Sequence, residues 1–281
     1  MRYTRIIIAA LFAAIALPLA AQTQEDSLIF AAQDWGWQDL GKGAQAGYAE
    51  MTIFGAPEAI SVIKYPAKKY RTSLIDAQGE LADGTDALAI KAGAKIAANG
   101  SYFDMRRLLP ITYISVDHKQ LGATTQSELF RCTGVLAIKG NGHKLDIMKV
   151  DSTKFDTWRK NYKYVIATGP ILIKDGVTIP HEYTGTFTTR RHPRTIVGKD
   201  ADGYVYFIVI DGRWKEQSVG ATIPETAAIA RYFGLVDALN FDGGGSSTVW
   251  SEQTGIINHP NDNGKWDHDG ARKVPNCIIV K

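Results

Sequence analysis

Asn240-Phe241-Asp242-Gly243-Gly244-Gly245-Ser246-Ser247-Thr248 concentrates more chemistry than any other stretch of the chain. Three successive glycines carry a heavy entropic cost in folding, so a plain surface turn rarely uses them. They permit positive φ and close approach of a ligand to the backbone. Consecutive N–H groups in such a turn form a concave nest that favours anions. Asn240 and Asp242 lie two residues apart, on one side of an extended strand, and the three hydroxyls add donors. The plain alternative is a glycine-rich hairpin turn; the reading favoured here is a strand-end loop that holds a charged ligand.

Other groups extend the chemistry. The carboxylates Asp211, Glu225 and Asp242 are candidate catalytic groups, able to deprotonate water or attack carbon. Arg194, Arg213 and Arg272 carry guanidinium forks that match phosphate oxygens. Asn99, Asn240 and Asn258 complete the polar set. Together these suit hydrolysis of a substrate with phosphate next to a sugar. A phosphate leaving group is already acidic, so arginines that stabilise its departing charge replace much of a general acid's work.

Each residue also has a structural reading. Glu225 completes a Thr222-x-x-Glu225 capping box with Pro224 in the first turn. Asp242 can shape its own turn, and Arg213 and Arg272 can be ordinary surface charges. The six histidines are scattered. No metal site is predicted. No cofactor is required, with a loosely held divalent cation in the Asn258–Asp269 loop left open, because its spacing matches no calcium motif.

The elements that must position these groups are mostly strands. Two strands meet at Gly55-Ala56-Pro57, another runs from Arg71 to Asp76, and Thr85–Gly93 reads as a helix. Within residues 95–104 an apolar strand ends in Asn99-Gly100 and then exposes polar and aromatic groups, with a hairpin turn as the alternative. Short strands follow at Thr112–Val116, Gly134–Ile138 and Leu145–Met148. Tyr204–Ile210, a capped helix from Thr222 to Phe233 and Leu235–Phe241 give strand, helix, strand and then the glycine loop. Ligands commonly bind beyond such strand ends. Residues 25–45 read as irregular. The expected fold is α+β, with mixed twisted sheets flanked by helices in a single main domain over 90–281 and a β-rich N-terminal segment, 22–89, packed on it.

Residues 1–21 read as a signal peptide: Arg2 and Arg5, an apolar run from Ile6 to Leu19, then Ala20-Ala21. The expected location is therefore periplasmic or extracellular, without a stable membrane anchor. The full chain has 32 basic and 29 acidic residues, and loss of two arginines with the signal leaves 30 − 29 = +1. That balance argues against nucleic acid as a partner. Cys132 and Cys277 are the two cysteines, and export leaves open either a disulfide or two buried thiols.

Residues 96–103, 192–198, Asp211-Gly212-Arg213, Glu225, 238–248 and 272–276 occur in an order that resembles the phosphodiester glycosidase domain family. The resemblance spans about residues 90–281 and implies a hydrolase of glycosyl-1-phosphodiesters acting on a phosphorylated glycan. It implies that Asn99 and Phe103 line the site, that Arg194 and Arg272 contact phosphate or framework, that Glu225 and Asp242 are candidate catalytic carboxylates, and that Gly243 to Ser247 form the ligand loop. It assigns neither carboxylate as nucleophile or base. Two alternatives follow from the residues: a phosphodiesterase that cuts the other phosphate ester bond, and a non-catalytic glycan-binding module of the cell envelope.

Overall fold

A computed structural model of the protein describes residues 24–281. The predicted signal peptide lies outside the described residues. Among these residues no helix is long and apolar enough to cross a membrane.

The frame is an eight-stranded sheet in the order Gln38–Gly41, Ala44–Ile53, Ala56–Pro66, Tyr204–Ile210, Arg194–Lys199, Asp237–Phe241, Ile171–Lys174, Val177–Thr178. Two five-stranded sheets lie on one of its faces. One runs Leu145–Lys149, Gly134–Ile138, Tyr164–Thr168, Ile114–Val116, Lys119–Gly122. The other runs Gly255–Ile256, Val249–Ser251, Ile96–Asn99, Asn276–Val280, Thr72–Asp76. The α+β class holds. The named strand pairs are antiparallel throughout, where mixed sheets were expected. The strand–helix–strand unit explains the difference. Tyr204–Ile210 and Asp237–Phe241 do run the same way, but Arg194–Lys199 is inserted between them and pairs antiparallel with both.

Alternation along the strands divides the core. Val197, Phe207 and Leu239 point to the side shared with Ala98, Leu136, Ile166 and Ile278 of the smaller sheets. Their neighbours Ile196, Ile208 and Ala238 point the other way, onto Ile223, Ala227 and Ala230 of the Ile223–Tyr232 helix. Strands buried on both faces read as continuous apolar runs, which is why Tyr204–Ile210 shows almost no polar residue. Short helices cover the outer faces of the smaller sheets: Leu88 and Ala89 of Thr85–Lys91 on one, and Trp158 of Phe155–Asn161 on the other.

Residues 25–45 are more regular than expected. A helix spans 24–31, and Gln38–Gly41 forms an edge strand. Phe30 and Trp35 pack edge-on and tilted against Phe233 at 4.8 and 4.9 Å, so tertiary burial supplies the order that local pattern did not announce. The N-terminal strands are woven into the large sheet through seven residue pairs between Ala56–Pro66 and Tyr204–Ile210. Cys132 and Cys277 are free thiols, each buried in a different apolar cluster.

Candidate active site

The glycine loop is the crossing by which the chain leaves the large sheet and enters a smaller one. Asp237–Phe241 ends in the large sheet, the loop turns through Gly244–Ser246, and Val249–Ser251 pairs beside Ile96–Asn99. Gly244 is the glycine that adopts a positive φ, of 64°. Gly243 and Gly245 are needed for space instead. A Cβ on Gly243 would strike the Pro193 carbonyl, and one on Gly245 would strike Asp262 and Arg272. The Gly244 N–H donates to Pro193 O at 2.9 Å, which staples the loop to the start of the Arg194–Lys199 strand.

Asn99 holds the loop from the other sheet. Its Nδ2 donates to the Asp242 carbonyl at 2.8 Å, and its Oδ1 accepts from Thr195 Oγ1 at 2.9 Å and Thr248 N at 3.1 Å. One amide thus joins three segments. The Asn99-Gly100 pair is not a hairpin turn: Gly100 N donates to Asn276 O at 3.1 Å, and Asp242 N to Gly100 O at 3.2 Å.

The predicted site residues separate into a frame and a surface. Asn99 is fully buried with its amide occupied, so it positions Asp242 and does not line an open site. Phe103 packs with Trp250 and Ile279 in the core, also away from solvent. Arg194, 2% exposed, donates Nε to Ala221 O at 2.8 Å and Nη2 to Phe187 O at 2.7 Å; it is a framework arginine. Burial lowers its guanidinium to about 10. Asn240 donates its Nδ2 to Tyr102 OH, Gly169 O and Phe241 O, so it braces the strand end.

Glu225 sits in the capping box that the sequence announces. Its Oε2 accepts from Thr222 N at 2.8 Å, and Arg191 engages its carboxylate at 2.6 Å. Both oxygens are occupied by cap and ion pair. Asp211 is likewise enclosed, at 1% exposure. It accepts from Asn258 Nδ2 at 3.1 Å and His259 N at 3.0 Å, and Asn258 in turn donates to Ser247 O at 3.0 Å. Asp211 and Asn258 therefore clamp the far side of the glycine loop. Ser247 and Thr248 bury their hydroxyls without a hydrogen-bond partner among the described residues, while the buried Ser246 hydroxyl faces Asp242.

Asp242 is the carboxylate left at the accessible face. Burial raises it to about 6, while the Ser246 hydroxyl and the cations Arg131 and Arg272 pull it down. An Asp at that value is poised for proton transfer or attack near neutral pH. Around it lie Gly243 and Gly244, both partly accessible, the Arg213 guanidinium against Gly244, and Arg272 beside Gly245. Arg272 is fixed by a two-pronged pair with Asp262, at 2.8 Å for Nε. Arg213 is exposed and held at φ 71°, an uncommon conformation for any residue other than glycine.

Arg131 escaped the sequence reading. Its guanidinium lies 3.8 Å over the Tyr102 ring and is tied to Glu128 at 2.6 Å. The local signal was the Glu128-x-x-Arg131 spacing, which marks many surface pairs. Glu58 was missed too. It is 1% exposed and accepts from Ser218 Oγ and Gly220 N at 3.1 Å, so it anchors the loop that carries Arg213. Burial pushes its carboxyl up to about 8. Among the described residues no cluster of three or more His, Cys, Asp or Glu side chains could hold a metal ion.

The architecture has solved counterparts. A hypothetical protein from Synechocystis matches with TM-score 0.64 and 12% identity over 85% of this chain and 62% of that one. The catalytic domain of zebrafish N-acetylglucosamine-1-phosphodiester alpha-N-acetylglucosaminidase matches with TM-score 0.66 and 17% identity, over 84% of this chain and 82% of that one. A Burkholderia pseudomallei protein matches with TM-score 0.61 and 16% identity, over 81% and 74%. These likenesses show the fold. No curated protein sequence matches the chain. The family model for phosphodiester glycosidases matches residues 92–281, a span that contains Asn99, Asp242, the glycine loop and Arg272: the chain belongs to the phosphodiester glycosidase family.

Proposed function

We propose that the protein is an exported hydrolase that cleaves the C1–O bond of a sugar-1-phosphodiester, releasing free sugar and a phosphomonoester. The observation that carries this reading is the partly accessible carboxylate Asp242, raised to about 6 at a glycine loop bordered by Arg213 and Arg272, with Arg131 acting on it electrostatically. Guanidinium groups and loop N–H groups take the phosphate, and the carboxylate faces the sugar carbon. In the reaction either Asp242 takes a proton from a water whose oxygen forms the new bond at C1, or Asp242 attacks C1 itself and water then hydrolyses the glycosyl ester, freeing the sugar and the carboxyl group. The C1–O bond breaks with its electron pair going to the phosphate oxygen. The phosphomonoester departs as an anion, and the arginines offset its charge, so no separate acid is required. Glu225 and Asp211 serve in this scheme as positioning groups for the helix start and the loop.

The test is mass-spectrometric analysis of products from an N-acetylglucosamine-1-phospho-6-mannose-type diester, with and without chelator. Free N-acetylglucosamine plus mannose 6-phosphate in both conditions supports the proposal. N-acetylglucosamine 1-phosphate would instead identify a phosphodiesterase. Absence of product across a panel of sugar-1-phosphodiesters would turn the assignment toward a binding role.

A further inference from the structure

The histidine beside Asp211 faces a second cavity. His259 is 8% exposed, and its Nδ1 lies 3.1 Å from Asp211 Oδ2. Its ring stacks on Trp266 at 3.7 Å and 4°, and the His268 ring lies 4.4 Å away, tilted by 35°. The Nδ1 of His268 donates to the Asn258 carbonyl at 3.0 Å. Asp211 already receives N–H groups from Asn258 and from the His259 backbone, so the His259 Nδ1 joins them as a donor. In the neutral form each ring is then the Nδ1–H tautomer, with Nε2 left as an acceptor. No hydrogen bond among the described residues reaches either Nε2.

Both histidines line a cavity of about 460 Å³ whose other walls include Trp35, Tyr48, Glu50 and Ile256. No lysine or arginine lines it. The Tyr48 hydroxyl donates to Glu50 at 2.6 Å, so its oxygen also remains an acceptor. The cavity therefore offers aromatic and aliphatic surface with a row of acceptors, and nothing that attracts phosphate. The two rings lie 4.4 Å apart and tilted by 35°, a spacing at which each can meet one of two neighbouring hydroxyls.

We propose that this cavity binds a neutral, hydroxyl-rich sugar ring, with its hydroxyls on His259 and His268 and its apolar face against Trp35 and Tyr48. The site is separate from the glycine loop and stands whether or not that loop hydrolyses a diester. The two are joined through Asn258, which takes His268 on its carbonyl and donates its side chain to both Asp211 and Ser247. A bound glycan would thus be held beside the place where the proposed phosphate-bearing part is processed.

The experiment uses ¹⁵N-labelled full-length protein and three probes: methyl α-D-glucopyranoside, methyl α-D-mannopyranoside and N-acetylglucosamine. Long-range imidazole spectra should show Nδ1–H tautomers, and at least one probe should shift both Nε2 signals. His268→Phe keeps the stack but removes one acceptor, and Tyr48→Ala removes a wall. Each should weaken binding by about tenfold or more while the thermal midpoint stays close to that of the parent. Asp242→Asn should bind as the parent does. The proposal is overturned if none of the probes shifts the imidazoles, if the shifts survive in both variants, or if they vanish in Asp242→Asn. Zinc ions added alone and shifting both Nε2 signals at micromolar concentration would also overturn it, in favour of a metal site.

Discussion

The Asn99 side chain, from a five-stranded sheet, donates to the Asp242 backbone carbonyl at 2.8 Å, at the end of a strand of the eight-stranded sheet. The carboxylate proposed to act on substrate is therefore held by its own main chain, from a neighbouring layer. Its side chain takes no part in that grip and accepts instead from the Gly243 N–H at 3.0 Å.

Replacing Asn99 with Ala should lower both stability and turnover. The Thr195 hydroxyl and the Thr248 N–H would lose their acceptor in a dry site, at about 1–3 kcal/mol for each buried group left unmade. Thermal melts and rate measurements on one preparation check this. A variant with a parental melting point would show that the amide does not carry the loop.

Asp242→Asn should reduce turnover by about a hundredfold or more, and yet raise stability at pH 7. The sign follows from the elevated value of about 6. Protonation of Asp242 contributes stability that is complete below the unfolded carboxyl range and is lost as pH rises through about 6. The neutral amide avoids that loss, worth on the order of 3 kcal/mol. In the parent enzyme, turnover should rise through the same interval as the carboxylate forms. Activity that falls as pH rises through 6 would contradict an ionised role.

Glu225→Gln and Arg194→Ala separate frame from chemistry. Gln preserves the capping geometry, so Glu225→Gln should keep turnover within a few-fold and lose about 1 kcal/mol through the Arg191 pair. Arg194→Ala should cost about 3 kcal/mol or more, because it removes a buried side chain bonded to the Ala221 and Phe187 carbonyls. Arg213→Ala should do the reverse, lowering kcat/KM on a diester by about tenfold or more without lowering the melting point. Denaturation curves paired with kinetics would show whether the two classes divide this way.

Glu58 should make the Arg213 loop lose stability from acid to mildly alkaline pH. Its carboxyl is raised to about 8, so its contribution is complete below the ordinary glutamate range and is lost progressively as pH rises to about 8. Glu58→Gln should flatten the decline in stability over that interval, from about 4.5 to about 8. An unchanged pH profile would remove Glu58 from that role.

The sequence announced the Thr222–Glu225 cap, the glycine loop and the strand–helix–strand unit because each rests on neighbours a few positions apart. It could not announce whether Asn99, Arg194 or Asp211 faces solvent. All three belong to stretches with real site character, but burial depends on the sheet that packs across them. Arg131 was invisible for a related reason: its partner Tyr102 and the charge of Asp242 reach it only through the fold. The irregular reading of 25–45 failed in the same way, since Phe30 and Trp35 find their partners on Phe233.

Residues 276–280 enter the smaller sheet as an interior strand, between Ile96–Asn99 and Thr72–Asp76. Until they arrive, Asn99 stands on an exposed edge, Gly100 lacks its acceptor on Asn276, and the layer that grips Asp242 is unfinished. Synthesis therefore delivers the carboxylate well before it delivers the support for it. A chain still emerging, or one cut short of residue 276, carries every group of the proposed chemistry and cannot yet perform it.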